Sequence, residues 1–519
     1  MVEKNLSIQN YPRIKINFTP KNPPLKKLKD KTKIDVRYCL IDPFVFVHIY
    51  WNKKTFELMY EVEEPILTES EKTYKKELVE AMSNMISFDS IVERDQEKLL
   101  EYIDRMFKIL AVELGMSISY ESYKKIYYYL VRDFIGFNEA EPLLKDYFVE
   151  DIECNGSDTP IYIVHRIYRN LKTNIIFNDM PILASFVEKL AQRCGKYISY
   201  AKPILDGSLP DGSRVNATYT KDITSRGPTF TIRKFTKTPW TPTQLLSFRT
   251  LSPEMLAYLW LLIQYKMNLL IAGGTASGKT TLLNAIAFFI PPESRVVSIE
   301  DTRELNLPRE NWLPSVARSA TGVGDTGEID LFTLLKSSFR QNPDYVIVGE
   351  VRGKEASVLF QGMASGHSSI NTIHADSVET LIKRLETPPI ELSPTLLNVL
   401  DCVCIMTHAI VNDQETRKLK EIVEIVNVKS NGIAQTNTPS IWNPAEDQFY
   451  FKRNNQIFQK ITKRHGISIQ KLEHEFQIRT QLMHKLLNKK IFKFQDVQNI
   501  INRYYKDQSG VLKEFGIQQ

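Results

Sequence analysis

Apolar and polar positions follow different periods in successive parts of the chain. Residues 44–51 and 56–62 are rich in β-branched and aromatic residues and are predicted as strands. Apolar positions recur about every 3.6 residues, as in amphipathic helices, over three further segments: residues 70–86, 95–114 and 120–134. We therefore predict a small N-terminal domain of mixed or helical character over residues 34–138.

Strand-like and helix-like patterns alternate over residues 139–235. A helix is predicted at residues 181–194 and a turn at residues 206–213, which are rich in Gly, Pro, Asp and Ser. Strands are predicted at residues 161–165, 172–177, 214–219 and 229–235. This order predicts an α+β domain. A semi-stiff linker that contains two prolines is predicted over residues 236–250.

Short, continuous apolar runs characterise the third part, residues 251–519. The run that ends at Gly273 precedes a glycine-rich loop and a helical pattern. Runs that end in acidic or polar residues follow at residues 295–299, 344–350 and 368–374. Such runs are typical of buried parallel strands whose carboxyl ends line a phosphate site. We predict a doubly wound α/β domain, extended by a strand at residues 419–428 and by helices over residues 456–506.

The composition is that of a globular protein, with 43% hydrophobic and 25% charged residues. A net charge of +6 is too small for this length to indicate nucleic-acid binding. Five cysteines without a Cys-x-x-Cys pair indicate neither a disulfide framework nor a zinc site, and they favour a reducing cytosol. We expect no signal peptide and no membrane span, because Gln264 and Lys266 interrupt the longest apolar run.

Residues 1–33 carry eight lysines and Arg13 against two acidic residues, and they have little apolar periodicity. We predict a flexible basic arm. A solvated tail is one interpretation of this arm, and contact with anionic lipid head groups or an acidic partner is the other.

The glycine-rich loop has the chemistry of a phosphate site. Gly273, Gly278, Lys279 and Thr280 match the P-loop pattern G-x-x-x-x-G-K-[ST]. Glycines let backbone N–H groups surround a phosphate chain, and the following helix directs the positive end of its dipole at that chain. Lys279 adds a charge for the β and γ phosphates, and the Thr280 hydroxyl is a candidate Mg²⁺ ligand. The predicted ATP-binding residues are Gly273, Gly274, Thr275, Ala276, Ser277, Gly278, Lys279, Thr280 and Thr281.

Acidic residues follow two of the later apolar runs. Glu350 ends one run, where a Walker-B acid is expected near Mg²⁺, partly through water, or near the attacking water. Glu300, Asp301 and Glu304 are close together after another run, and such carboxylates repel one another unless a cation or water uses them. A general base must reach the attacking water, and both Glu304 and Glu350 are candidates.

Histidines and arginines add further candidates. His367 and His374 lie seven residues apart across a predicted strand, which excludes a metal pair on one helical turn. Arg214, Arg226 and Arg233 precede the predicted linker. P-loop enzymes often need an arginine from outside the nucleotide domain to neutralise charge in the transition state.

Taken together, these segments resemble the ATPases of type II secretion and type IV pilus systems, and most closely the archaeal branch that includes the archaellum motor ATPase and pilus assembly ATPases. The resemblance spans residues 140–410. The motifs that carry it are LPDGSRVN (209–216), RGPTFTIRKF (226–235), GGTASGKTT (273–281), IEDTREL (299–305), FRQNPDYVIVGEVR (339–352), MASGH (363–367) and IHADS (373–377). Bacterial members usually carry a four-cysteine zinc insert; its lack here favours the archaeal branch and no zinc. Arg303 is a second departure, because it places a cation beside Glu304.

The resemblance implies an α/β fold, with a RecA-like P-loop nucleotide domain joined to a PAS-like α+β domain and the small N-terminal domain. It implies a homohexamer that uses ATP and Mg²⁺ in the cytoplasm, at the inner face of the cell membrane. A polytopic membrane platform protein is the expected partner, and regulatory ATP-binding or filament accessory proteins are further candidates.

Residue roles also follow from the resemblance. Glu304 matches the catalytic acid of the family's Asp box, and Glu350 matches the Walker-B acid. The two histidines match the His box, with a γ-phosphate-sensing or water-positioning role. Arg226 and Arg233 match arginines that reach the nucleotide from the α+β domain.

The implied function is to drive assembly of a pilin-type filament, or rotation of an archaellum, by turning the nucleotide domain against the α+β domain. A related ring ATPase that moves nucleic acid or protein, as in conjugation or type IV secretion, is one alternative. Its candidate contact strip is the basic and aromatic segment 456–506, and nucleic acid is the less favoured partner. A scaffold that binds nucleotide without hydrolysis is a second alternative, and the full set of acids argues against it.

Overall fold

The computed structural model describes residues 8–25, 28, 30–85, 96–235, 238–307, 309–318, 327–411, 414–452 and 454–518. Several positions used in the predictions lie outside these residues: Lys4, Lys26, Lys27, Lys29, residue 86 and residues 236–237. The chain divides into two compact units, Met1–Phe235 and Thr236–Gln519.

Nine strands and five α-helices, besides short 3₁₀ helices, lie within the described residues of the first unit. The strands are β1 Asp35–Ile41, β2 Val45–Asn52, β3 Glu57–Glu63, β4 Val149–Cys154, β5 Pro160–His165, β6 Arg169–Ile176, β7 Ile204–Ser208, β8 Arg214–Thr218 and β9 Thr229–Arg233. The helices are α1 Glu69–Met85, α2 Gln96–Glu113, α3 Tyr120–Phe134, α4 Glu141–Lys145 and α5 Met180–Arg193. The strands form one sheet in the order β1-β2-β3-β6-β5-β4-β9-β8-β7.

One parallel contact, between β3 and β6, joins the early strands to the later ones. Met59 pairs with Lys172 and Tyr60 with Thr173. Asn174 strengthens this contact, because its Oδ1 accepts from the Val62 N–H at 2.8 Å and its Nδ2 donates to the Val62 carbonyl at 2.9 Å. Strands from both sides of the predicted boundary at residue 139 therefore share one sheet.

Residues 8–18 differ from the predicted flexible arm. Ile8 is buried in the cluster formed with α1, α2 and α3. The Tyr11 hydroxyl donates to the Ile118 carbonyl at 3.0 Å, and Lys108 Nζ donates to the Tyr11 carbonyl at 2.8 Å. Apolar residues recur here every two or three positions, without the constant period of a helix or a strand, yet they pack onto the helices. The prediction of a flexible arm is therefore wrong for this stretch.

Nine strands and eleven α-helices, besides short 3₁₀ helices, lie within the described residues of the second unit. The strands are β10 Leu269–Gly273, β11 Val296–Glu300, β12 Trp312–Val316, β13 Tyr345–Val351, β14 Ser368–Ile373, β15 Cys402–Val411, β16 Gln414–Val428, β17 Ala434–Asn443 and β18 Gln448–Phe451. The helices are α6 Pro242–Ser247, α7 Pro253–Gln264, α8 Lys279–Ile286, α9 Leu331–Ser338, α10 Glu355–Ala364, α11 Val378–Glu386, α12 Pro394–Leu397, α13 Gln456–His465, α14 Ile469–Asn488, α15 Phe494–Lys506 and α16 Gln508–Phe515.

The second sheet has the order β12-β11-β13-β14-β10-β15-β16-β17-β18. Its strands run parallel from β12 to β15 and antiparallel from there to β18. All five residues of β10 are buried. Alternate residues of β10 face two different hydrophobic clusters, with Leu269 and Ile271 in one and Leu270 and Ala272 in the other. Burial on both faces explains why this strand is a continuous apolar run.

The predicted linker is not an extended spacer where it is described. Thr241 caps α6 through a capping box with Gln244, and Leu245 and Leu246 are buried in the core of the second unit. The Thr243 hydroxyl also donates to the Ile491 carbonyl at 2.7 Å. Residues 241–247 therefore belong to the packed second unit. None of the described helices combines the length and apolarity needed to cross a bilayer.

Candidate functional site

The glycine-rich loop between β10 and α8 requires glycine at two positions. A Cβ atom at residue 273 would lie 2.5 Å from Ser277 Oγ and 2.6 Å from the carbonyl oxygen of Met406. Gly278 has φ +94°, a left-handed conformation that other residues rarely adopt. The backbone therefore passes closer to the neighbouring strand than any side chain permits. This close approach is the form expected of a cradle for a phosphate chain.

The loop is closed by hydrogen bonds to its own carbonyls. Ser277 Oγ donates to the Gly274 carbonyl at 2.8 Å, and Lys279 Nζ donates to the same oxygen at 3.0 Å. From β16, Arg417 Nε donates to the carbonyl of Ala276 at 3.0 Å, a residue with φ +57°. These bonds hold Lys279 over the loop, at the start of α8, where the helix dipole is positive.

Four charged side chains influence the pKa of Lys279. Burial is the largest effect and lowers the pKa of the half-buried Lys279. The negative charges of Glu350 and, more weakly, of Glu304 raise this pKa. The positive charges of Arg352 and Arg384 lower it. These electrostatic interactions place the five groups in one neighbourhood. The chain therefore brings Lys279 together with both acids that are candidates for the general base.

The parallel register explains why these groups meet. Ala272 of β10 pairs with Ile373 of β14, so His374 follows at the same edge of the sheet as Gly273. Val351 of β13 also pairs with Ile373, which brings Glu350 to this edge. The His374 carbonyl accepts from Arg384 at 2.9 Å.

Glu350 is paired within its own chain. Its carboxylate lies 2.5 Å from Arg352 Nη2, and Arg352 Nη1 lies 3.7 Å from Asp301. The turn that carries Arg352 is fixed by the buried Glu355, which accepts from the N–H groups of Arg352 and Gly353 at 2.6 and 2.8 Å. Sequence reasoning did not single out Arg352 or Arg384. Arg352 could have been identified from its position, because it ends the motif that contains Glu350.

The carboxylates of Glu300, which ends β11, and of Asp301 and Glu304, which follow it, have different environments. Glu300 is buried, and burial raises its pKa to about 7 although the N–H groups of Glu304 and Leu305 favour its ionised form. Asp301 and Glu304 are exposed. The guanidinium of Arg303 lies 5.5 Å from the ring centroid of Trp312. Glu304 is therefore an exposed carboxylate whose charge also raises the pKa of Lys279.

His367 lies away from this edge. It precedes β14, whereas His374 follows it, and a six-residue strand spans about 20 Å. The ring of His367 packs against Phe339 with centroids 4.8 Å apart, and its Nδ1 is buried without a hydrogen-bond partner among the described residues. The structure therefore separates His367 from the glycine-rich loop of its own chain, and the catalytic role expected for His367 stays a prediction.

The arginines of the α+β segment belong to the first unit. Arg226 is exposed, and its carbonyl accepts from the Ser157 N–H at 3.2 Å. The side chain of Arg233 is 69% exposed, and its Nε lies 3.1 Å from Asp151. Arg214 pairs with Asp206 on the neighbouring strand at 3.0 Å. Both nucleotide-binding candidates thus present side chains at the surface of the first unit.

The oxygen donors at the site fit Mg²⁺. The Thr280 hydroxyl on α8 and the Glu350 carboxylate at the end of β13 are at one edge of the sheet. Mg²⁺ usually takes one or two protein oxygens and completes its shell with water and phosphate. Across the described parts of the chain, no group of three or more His, Cys, Asp or Glu side chains could hold a metal ion by itself.

The chain matches one family model and is similar to several known proteins. The model of the type II/IV secretion system protein family matches residues 136–489. The uncharacterised protein MJ0900 of Methanocaldococcus jannaschii is 34% identical over 93% of this chain and 91% of its own length. The conjugal transfer protein TrbB of Rhizobium radiobacter is 32% identical over 44% of this chain and 70% of its own length. Among solved structures, the Legionella pneumophila ATPase DotB is 17% identical, with a TM-score of 0.39, over 67% of this chain and 85% of its own.

Proposed function

The chain belongs to the type II/IV secretion system protein family, and from this we propose that it is a hexameric, Mg²⁺-dependent ATPase that powers assembly or rotation of an archaeal type IV pilus-like filament. In this proposal residues 251–519 form a RecA-like P-loop domain with C-terminal helices, and residues 139–235 form a PAS-like domain. The relative from Methanocaldococcus jannaschii supports the archaeal branch.

ATP binding is supported by the geometry of the glycine-rich loop. Gly273 is required by its close approach to Met406, and Gly278 by its left-handed backbone; we infer that the main-chain N–H groups of residues 274–281 face the phosphates, as they do in loops of this kind at a helix N-terminus. Lys279 supplies a positive charge at the start of α8. This loop, with Glu304 and Glu350 beside Lys279, is the single observation that carries the proposal.

Hydrolysis requires a base for the attacking water, and we assign this role to Glu304. It is exposed and acts on Lys279, whereas Glu350 is engaged by Arg352. Thr280 and Glu350 would hold Mg²⁺, Glu350 partly through water, and the ion would neutralise charge on the phosphates. His374 would sense the γ-phosphate, because it follows β14 at the same edge as Gly273.

Catalysis shared between subunits is supported by the surface arginines of the first unit. Arg226 and Arg233 would approach the nucleotide of a neighbouring subunit in a homohexamer and neutralise charge that develops in the transition state. Movement of the PAS-like domain with these arginines would couple hydrolysis to mechanical work. We propose that a polytopic membrane platform protein receives this work at the cytoplasmic face of the membrane.

The test is steady-state ATP hydrolysis measured against protein concentration, with mass determined by light scattering at each point. Wild type should gain specific activity as hexamers form. Arg233→Ala should assemble but turn over slowly, and Lys279→Ala should lose nucleotide binding. Glu304→Ala should bind ATP and lose about 10² to 10⁴ in rate. A monomer with full specific activity would refute the shared site.

The conjugal transfer relative favours a second candidate function. In this alternative the ring moves nucleic acid or protein, and the helices over residues 456–506 would form the contact strip. Stimulation of ATP hydrolysis by single-stranded DNA would favour this alternative, and no response at low salt would favour the filament motor.

A further inference from the structure

The backbone around Glu304 is held by two buried side chains on different elements. Glu300, at the end of β11, accepts at Oε1 from the N–H groups of Glu304 and Leu305, both at 2.9 Å. Asn284, on α8, donates from Nδ2 to the Glu304 carbonyl at 3.3 Å and accepts at Oδ1 from the Asn306 N–H at 3.1 Å. Glu300 and Asn284 are only 2% and 5% exposed. Both backbone groups of Glu304 are therefore engaged by buried partners.

This arrangement leaves only the side chain of Glu304 with conformational freedom. Fixing the peptide groups on both sides of a loop residue removes its backbone freedom, while the exposed carboxylate keeps its own torsions. Asn284 lies on the same helix as Lys279, so Glu304 is tied directly to the element that begins at the phosphate site. A group that acts on a bound water benefits from such fixed placement.

Packing alone does not explain the presence of Glu300. Its second oxygen, Oε2, is buried and has no hydrogen-bond partner among the described residues. Burying a carboxyl group with one oxygen unsatisfied costs free energy that an apolar side chain would avoid. The benefit that Glu300 offers is the pair of hydrogen bonds to the loop.

We propose that Glu300 and Asn284 are positioning residues that hold Glu304 at a fixed distance from α8, so that its carboxylate meets the attacking water. This inference rests on the proposed function, in which Glu304 is the base. Neither residue touches substrate. Both act through the backbone of Glu304, one from the sheet and one from the helix.

The first test separates kcat from KM. Glu300→Ala and Asn284→Ala should each lower kcat about 10- to 100-fold, because a misplacement of about 1 Å can cost about 10² in rate. The KM for ATP should stay within about threefold of wild type, since neither substitution changes a side chain of the phosphate loop. Asn284→Ala also removes a hydrogen bond from Nδ2 to the Thr280 carbonyl, at 3.2 Å, so Glu300→Ala is the cleaner test of an unchanged KM. Glu300→Gln keeps the accepting oxygen and should recover most of kcat. If Glu300→Ala does not fold, Asn284→Ala makes the same test from the helix side.

Gln498→Ala is the matched control. Gln498 is also a buried amide, and it donates to a backbone carbonyl, that of Phe288, at 3.3 Å. Its loss should lower stability as Asn284→Ala does and leave kcat unchanged. Equal losses of kcat in Gln498→Ala and Asn284→Ala would overturn a positioning role.

A double-mutant cycle separates this inference from the function on which it rests. In single-turnover assays, Glu300→Ala should lower the rate no further once Glu304→Ala is present. An additional loss in that background would show that Glu300 acts elsewhere and would overturn the inference. If Glu304→Ala is inactive but Glu300→Ala and Asn284→Ala both hydrolyse ATP at the wild-type rate, the inference is overturned and the proposed function stands. A Glu304→Ala variant with wild-type rate would remove the assigned base, and the inference with it.

Discussion

Substituting Gly273 by alanine should lower the stability of the second unit, because the new side chain would overlap two neighbouring atoms. The new Cβ would lie 2.5 Å from Ser277 Oγ and 2.6 Å from the Met406 carbonyl. Met406 is the partner of Gly273 in the β10–β15 ladder, so its carbonyl cannot move without a shift of two central strands. Overpacking of this kind costs about 1–3 kcal/mol. Displacing Ser277 from its bond to Gly274 costs about 1 kcal/mol more.

A decrease of about 2–4 kcal/mol in the free energy of unfolding should lower the unfolding temperature of the second unit by roughly 5–15 °C, at about 2–4 °C per kcal/mol. Differential scanning calorimetry measures this shift, and titration with a fluorescent ATP analogue measures the accompanying loss of affinity. Gly274→Ala is the matched control, because nothing lies within 4 Å of a Cβ atom at that position. Its unfolding temperature should stay within about 2 °C of wild type.

Two results would refute this reasoning. If Gly273→Ala unfolds at the wild-type temperature and binds the analogue equally well, the loop does not need the close approach to Met406. If both glycine variants are destabilised equally, the cause is the loss of glycine from the loop in general, and the contact with the neighbouring strand is not responsible.

Three further predictions concern two groups at the site and one hydrogen bond in the core of the second unit. Arg417→Ala removes the bond to the Ala276 carbonyl and should weaken binding of the ATP analogue about fivefold, since an exposed charged donor contributes about 1 kcal/mol; unchanged affinity would contradict this. Glu300 keeps its proton in the folded chain up to a pKa of about 7, whereas the unfolded carboxyl releases it near 4.5. Stability should therefore fall as pH rises between these values, by up to about 3 kcal/mol, and melting of wild type and Glu300→Gln from pH 5 to 8 should show this loss only in wild type. Tyr258→Phe removes a hydroxyl that donates to the fully buried Glu424 at 2.5 Å and should cost about 1–3 kcal/mol in denaturant unfolding; a change within about 0.5 kcal/mol would argue against a buried charged acceptor.

Elements with a regular period or uniform burial could be predicted from the sequence. The structure confirms α2 and α3 within about two residues of the predicted bounds, because one face of each is apolar at helical spacing. The buried parallel strands β11, β13 and β14 are also confirmed. β11 and the first part of β13 are mainly apolar because both faces are covered, whereas β14 is buried along its whole length although four of its six residues are polar.

Strands with polar or irregular patterns were missed. β17 lies in an Asn-, Gln- and Thr-rich stretch where exposed and part-buried residues alternate irregularly. β4 has a register irregularity between Val149 and Asp151, and a bulge breaks the two-residue period on which strand prediction depends. Neither pattern distinguishes a strand from a loop in the sequence alone.

The candidate site could be predicted where a motif constrains the residue types. The loop and the acids Glu304 and Glu350 came from such motifs. Asn284 and Arg417 did not, because an asparagine inside a helix and an arginine on an antiparallel strand carry no local signal. Their importance depends on which backbone carbonyl each one reaches, and this is a property of tertiary structure.

The parallel contact between β3 and β6 bears on how parts of this protein can be produced. A chain that began at residue 139 would lack β1, β2 and β3 and would leave one side of β6 with unpaired N–H and C=O groups. Such an edge is a template for strand addition between molecules and favours aggregation. The early strands thus act as a protective cover for the later ones, and a shortened first unit that keeps residues 34–63 should be the more soluble form.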